Sequence, residues 1–163
     1  MSVLYSLEWV AESAVKNLLV NTTSVQNFYI SDDKEIRVRP CVEVQVINSE
    51  ERKIGRLATS SGGYLSGVFN LTVQVMLEQK ADLVIKPSQN GMPEEESSKL
   101  WQEIWQAFHW DTLLSDRLTS STSYPFTCYD ARISDGAYTV DTYHRIWQKR
   151  ANLQLICINR RDI

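Results

Sequence analysis

Phe69-Asn70-Leu71-Thr72-Val73-Gln74-Val75-Met76-Leu77-Glu78 is the stretch on which the fold reading turns. Phe69, Leu71, Val73, Val75 and Leu77 alternate with Asn70, Thr72, Gln74 and Glu78, the period of a half-buried β-strand. Successive strand side chains point to opposite faces, so one face requires a core and the other requires water or a partner. Upstream, Pro40 opens a second run of the same kind, with Val42, Val44 and Val46 on one face and Glu43 and Gln45 on the other. Between the two runs, residues 48–67 hold Glu50, Glu51, Arg52, Lys53 and Arg56, then Ser60-Ser61-Gly62-Gly63 and Gly67. That interval is too long for a tight hairpin turn, and loops beyond ~12 residues are usually functional or disordered. A protruding, mobile arm at about 48–67 is expected.

Moving outward, Leu4, Leu7, Ala11, Ala14, Val15 and Leu18 recur at three- and four-residue intervals with Glu8, Glu12 and Lys16 between them. This predicts an amphipathic helix from about Ser6 to Leu19 with Ser6 as its N-cap. Asn21-Thr22-Thr23-Ser24 then breaks the pattern, and Asn27 to Ile30 reads as a short extended piece. Pro93-Glu94-Glu95-Glu96 opens another helix, with proline and carboxylates placed where the macrodipole favours them. Its apolar face is Leu100, Trp101, Ile104, Trp105 and Phe108. It breaks near Trp110-Asp111, with Asp111 as cap of a short continuation through Leu113, Leu114 and Leu118. Phe126 to Ile133 and Tyr143 to Ile158 read as two more strands, with Ser134-Asp135-Gly136 as a turn. The expected order is α-β-β-α-β-β: an α+β fold with a mostly antiparallel sheet and helices on one face.

At 163 residues the chain is of common single-domain size, so one domain spanning 1–163 is expected. A net charge of −3 argues against general attraction to nucleic acid or anionic membranes. No apolar stretch approaches the ~20 residues that a membrane helix needs. The N-terminus lacks the basic start and continuous apolar block of a secretory signal, so synthesis in a cytoplasm is expected. Cys41, Cys128 and Cys157 are widely spaced, as buried reduced thiols are, and show no zinc or redox spacing.

Catalytic, cofactor and metal motifs are each outweighed by plainer readings. His109 lies between Phe108 and Trp110 at a helix break, and His144 lies beside Arg145, neither within a catalytic signature. Ser60-Ser61-Gly62-Gly63 lacks the spacing of a phosphate loop and leads into no helix. Glu94, Glu95 and Glu96 fan around a helix axis and cannot converge on one ion. Trp101 and Trp105 fit a core better than a base-stacking platform. Arg145, Lys149 and Arg150, with Arg160 and Arg161, form the best candidate patch for an anion or acidic partner, with a solvated strand face as the simpler account.

Arg39-Pro40-Cys41-Val42-Glu43-Val44-Gln45-Val46 following an N-terminal helix, then a long loop, then Gly67 to Val75, then a helix at Ser97 to Ile104 and a C-terminal hairpin, resembles the tail terminator and neck (tail-completion) proteins of tailed bacteriophages. The likeness is one of element order and strand texture over most of the chain. Residues 120–150 are longer and more aromatic than a minimal member would carry. The resemblance implies a structural virion protein without catalysis or cofactor. It implies a hexameric ring that caps the tail tube protein and meets the head–tail connector protein, with no membrane or specific nucleic-acid role. The expected subunit-contact residues lie in the arm and the basic cluster: Glu50, Arg52, Lys53, Arg56, Tyr64, Arg145, Lys149 and Arg150. Two other classes stay open: an enzyme gathering Asp130, Asp135, Asp141 and His144 near Tyr143, and a small-ligand or regulatory module with an apolar cavity lined by Trp101, Trp105 and Tyr129.

Overall fold

The computed structural model describes residues 6–30, 37–53, 66–80, 93–109, 113–124, 127–134, 138–141 and 146–160. Helix α1 spans Leu7–Thr22, and the Ser6 hydroxyl accepts from the Trp9 N–H at 3.3 Å, as its N-cap position requires. The helix runs through the first two residues of the expected polar break. Thr22 and Thr23 donate their hydroxyls to the carbonyls of Leu18 and Leu19, both at 2.7 Å, so these polar residues serve the last turn.

Strands β1 (Phe28–Ile30), β2 (Cys41–Lys53) and β3 (Ser66–Lys80) follow, then helices α2 (Pro93–Phe108) and α3 (Leu114–Ser120), then strands β4 (Thr127–Ser134), β5 (Tyr138–Asp141) and β6 (Ile146–Arg160). The chain is thus α+β, with more elements than the expected order. The sheet order is β1-β2-β3-β6-β4, and β5 pairs with β6 beyond the end of β4. Every pairing is antiparallel except β1 with β2. Strand β1 lies within the extended piece expected at Asn27 to Ile30, while β5, with four residues, is too short to display a legible alternation. Helix α2 starts at Pro93 as the proline and its acidic followers predict.

The expected arm at 48–67 is corrected at both ends. Asn48 to Lys53 continue β2, and Ser66 and Gly67 begin β3, with pairing that reaches Lys53↔Gly67. Residues 54–65 lie outside the described residues, as do 81–92. Charges at 50–53 suggested a loop, yet charged residues are also what a sheet carries near an edge strand.

One face of the sheet packs against the three described helices. Val42, Val44, Leu71, Val73, Val75, Leu77, Ala151, Leu153, Leu155 and Cys157 join Val10, Ala14, Val15 and Leu18 of α1, Trp101, Ile104 and Phe108 of α2, and Leu114 and Leu118 of α3 in one buried cluster. Polar contacts tie the helices to one another. Ser121 donates its hydroxyl to the Ala14 carbonyl at 2.8 Å, and Ser24 donates to Glu103 through both its N–H and its hydroxyl.

The buried Glu12 of α1 accepts from the Val46 N–H at 2.9 Å, where β2 shifts register between Val46 and Asn48. This carboxylate satisfies a backbone donor on the outer edge of β2 just beyond the last β1 pair, Ile30↔Val44. Glu12→Ala is expected to cost about 2 kcal/mol in urea unfolding, because it leaves the half-buried Val46 N–H without its acceptor. Glu12→Gln, which keeps an acceptor oxygen, should lose less than half of that.

Candidate functional site on the open sheet face

The other face of the sheet carries the even-numbered, polar side of β3. Register places Gln45, Gln74, Asn152 and Ser134 in one row, Asn48, Thr72, Gln154 and Arg132 in the next, and Glu50, Asn70, Ile156 and Asp130 in a third. A concavity of about 370 Å³ lies over the last two rows, lined by Asn48, Glu50, Asn70, Thr72, Asp130, Arg132, Gln154 and Ile156.

Its curvature has a local cause. The ladders slip by one residue at Ile47 in β2 and at Tyr129 in β4, and such bulges bend a strand and increase its twist. The two bulges flank the hollow on opposite sides, and both extra residues are exposed. Amides, a hydroxyl and carboxylates cover the hollow, so it can donate and accept hydrogen bonds along its whole length. Arg132 pairs with Asp130 at 3.1 Å, an exposed contact of small energetic weight.

The far end of this face is not open, which corrects the expectation that it would be. Arg37 binds Glu43 and also reaches Glu78 at 3.2 Å, while Arg39 reaches Glu78 at 3.2 Å. Gln148 donates to Glu78 at 3.2 Å and accepts from Arg150 at 2.8 Å. The Arg37 guanidinium stands over the Tyr29 ring, whose hydroxyl accepts from the Val38 N–H at 3.0 Å. The chain entering β2 through the cis Arg39–Pro40 bond therefore covers two buried carboxylates with two guanidinium groups.

Burial works to lower the pKa of Arg37, but the hydrogen bond and charge of Glu43, with the charge of Glu78, outweigh it and raise the net value. Burial, then the charge of Glu78, push the Cys41 thiol up to about 12. Both carboxylates are engaged by guanidinium groups.

The expected contact residues fall in different places. Glu50 lines the hollow. Arg52 and Lys53 lie in β2, paired with Val68 and Gly67. Arg56, Tyr64 and Arg145 lie outside the described residues. Lys149 and Arg150 do not form one patch, because strand neighbours face opposite sides. The Lys149 ammonium sits 5.1 Å over the Trp101 ring on the helical side, while Arg150 reaches Gln148 on the other.

Of the enzyme constellation, the two described members lie far apart. Asp130 and Asp141 pair with Ile156 and Ile146, ten residues apart on β6 and so about 34 Å apart along the strand. Asp135, Tyr143 and His144 lie outside the described residues. The apolar cavity does not form from its three aromatics either. Trp101 is buried in the core, Trp105 stacks on His109 with 4.4 Å between ring centroids, and Tyr129 stands exposed at the β4 bulge. His109 places Nδ1 2.8 Å from the Trp105 carbonyl oxygen, a local structural role. Among the described residues no group of three His, Cys, Asp or Glu side chains is arranged to hold a metal, and no helix is long and apolar enough to cross a membrane.

The Arg37, Arg39, Glu43, Glu78 and Gln148 network was absent from the sequence reading, which placed Glu43 on a solvent face. The available signal was charge on both sides of a register that the two strands' alternation already implied.

Two outcomes test this end of the sheet. Glu78→Gln is expected to cost about 3 kcal/mol in urea unfolding, because it removes the charge of a buried carboxylate that two half-buried guanidinium groups share. The raised Cys41 pKa means the folded state holds its proton longer than the unfolded state, whose thiol titrates near 9.0. Its contribution is complete below that pH and declines as pH climbs towards about 12. The stability advantage of wild type over Cys41→Ala should therefore narrow, by up to about 1.4 kcal/mol per pH unit in that window.

No family model and no curated protein matches this chain.

Proposed function

We propose that the chain is a structural virion subunit, a tail terminator or neck adaptor that assembles into a hexameric ring. The ring caps the tail tube and meets the head–tail connector, and assembly follows synthesis in the host cytoplasm. The observation that carries this reading is the uneven dressing of the sheet. Helices bury one face, while the other presents a polar hollow bounded by two bulges.

The outer edge of β2 supports the same reading. Its pairing with β1 stops at Val44, and among the described residues no strand pairs with that edge from Gln45 to Lys53. Strands β3 and β6 have 15 residues each, about 50 Å of extended chain, whereas the 16 residues of α1 cover about 24 Å. Three strands stay paired out to Lys53, Ser66 and Arg160. An edge with free backbone groups and a hollow rich in amides suit a polypeptide partner, which can add a strand or lay polar side chains into the face.

A second reading takes the hollow as a binding site for a small polar ligand. Its volume of about 370 Å³ and its mixed lining, with Leu71, Leu155 and Ile156 beside the polar side chains, favour that class over the apolar-cavity module.

Light scattering coupled to size exclusion, on the protein alone and mixed with a tail tube protein, decides between these. Assembly predicts a ring, alone or on the tube. A monomer that never engages the tube overturns the assembly reading. Glu50→Lys, an exposed change in the hollow, should alter stability by less than about 0.5 kcal/mol and weaken assembly about tenfold.

A further inference from the structure

Cys128 and Cys157 are direct partners across the β4–β6 ladder, a relation that the assembly reading does not use. Backbone hydrogen bonds determine what kind of pair they are. The Val42 N–H bonds to the Asn27 carbonyl on the β1 side, so Val42 turns its backbone groups away from β3. Val42 faces Leu77, which makes that position a non-hydrogen-bonded pair of the β2–β3 ladder.

Leu77, Val75, Val73, Leu71 and Phe69 consequently turn their backbone groups towards β6. The β3–β6 register is continuous, so their partners, ending at Cys157, turn theirs towards β3 and away from β4. Cys128 agrees from the other side. Its N–H donates to the Thr119 hydroxyl at 3.0 Å, and its carbonyl accepts from the same hydroxyl at 3.5 Å.

Cys128–Cys157 is therefore a non-hydrogen-bonded antiparallel pair, the kind whose Cα atoms approach to about 4.5 Å. That spacing lies inside the roughly 4.4–6.8 Å that a disulfide spans. Both side chains are buried, both thiols are free, and the Cys128 thiol donates to the Asp130 carbonyl at 3.3 Å.

We propose that Cys128 and Cys157 are a redox pair, oxidised to a cross-strand disulfide by a small-molecule disulfide when the edge strand β4 opens. The exchange balances with glutathione disulfide. Cys128, on the edge, gives its proton to solvent, and its thiolate attacks one glutathione sulfur, forming a mixed disulfide and expelling one glutathione thiolate. Cys157 then loses its proton and attacks the Cys128 sulfur, expelling the second thiolate. The protein gives up two electrons and two protons, and two glutathione thiols result.

Burial shields both sulfurs, so the closed fold reacts slowly and local opening of β4 sets the rate. The product ties β4 to β6, and with it the Thr119 contact to α3. Cys41 sits on the opposite face, donating to Glu78 at 3.7 Å, and has no cysteine across its ladder.

The experiment incubates the folded full chain with excess glutathione disulfide at mildly alkaline pH. Free thiols are then alkylated under denaturing conditions and counted by mass, and the peptides are mapped. Free thiols should fall from three to one, the survivor being Cys41, with a peptide joining Cys128 to Cys157. The melting temperature should rise by several degrees and return on reduction. C41S should behave as wild type in the map, while folded C128S and C157S should give no intramolecular link. Three free thiols in a protein whose hydrogen exchange shows β4 opening, a link to Cys41, or a melting temperature lowered by oxidation would each overturn the proposal.

Discussion

The strict two-residue alternation of β3 is the constraint from which the rest follows. Leu71, Val73, Val75 and Leu77 must face the helices together, and a slip of one residue would turn the whole set to the other side. Because β3 is the central strand, its register passes to β2 through Val44↔Val75 and to β6 through Val75↔Ala151. The apolar comb extends across three strands, broken by Lys149 opposite Leu77 and by Ser49 opposite Leu71 past the bulge, and the residues between its teeth are committed to the opposite face. The polar hollow and the buried charge network are both made of those intervening residues.

Both edges of this sheet are managed by helix side chains beside a bulge. Glu12 of α1 accepts from the outward Val46 N–H, next to the extra residue Ile47. Thr119 of α3 bonds the outward N–H and carbonyl of Cys128, next to the extra residue Tyr129. Each contact occupies backbone groups that a foreign strand would otherwise use. Strand addition is thereby hindered at these two positions, while among the described residues the stretch of β2 beyond its bulge has no strand partner on its outer edge. The same bulges bend the strands that enclose the hollow, so edge protection and the shape of the candidate site share one cause.

Legibility in the sequence follows the strength of these patterns. The alternation in β2 and β3, the N-cap at Ser6 and the proline-led start of α2 each carried a local signature, and each marks an element where it was expected. Strand β1 falls on the extended piece expected at Asn27 to Ile30, whereas β5 had no signature, because its four residues are held by pairing with a long neighbour and not by a period of their own. Charged residues misled in two ways. Glu50 to Lys53 read as a loop although they are paired, and Lys149 and Arg150 read as one patch although the pleat separates them. The hollow itself had no sequence signal, since it depends on where two ladders slip and on which residues four strands bring side by side.

The two ends of the polar face differ in a way that bears on assembly. At one end Arg37 and Arg39 close over Glu43 and Glu78, and a buried ion pair of this sort contributes less to stability than to fixing one arrangement among several. At the other end the rows of Asn48 and Glu50 stay open, and their partners in β4 are half-buried or exposed. A face sealed at one end by its own chain and open at the other has a direction. Directional surfaces favour head-to-tail contacts, in which an open patch meets a different patch on the next copy, over self-complementary pairing. Head-to-tail contacts close into a ring when the rotation between copies divides a full turn. A subunit with one sealed end and one receptive end is therefore suited to circular assembly, and the charge network that seals it does so without occupying the β2 edge beyond Val46.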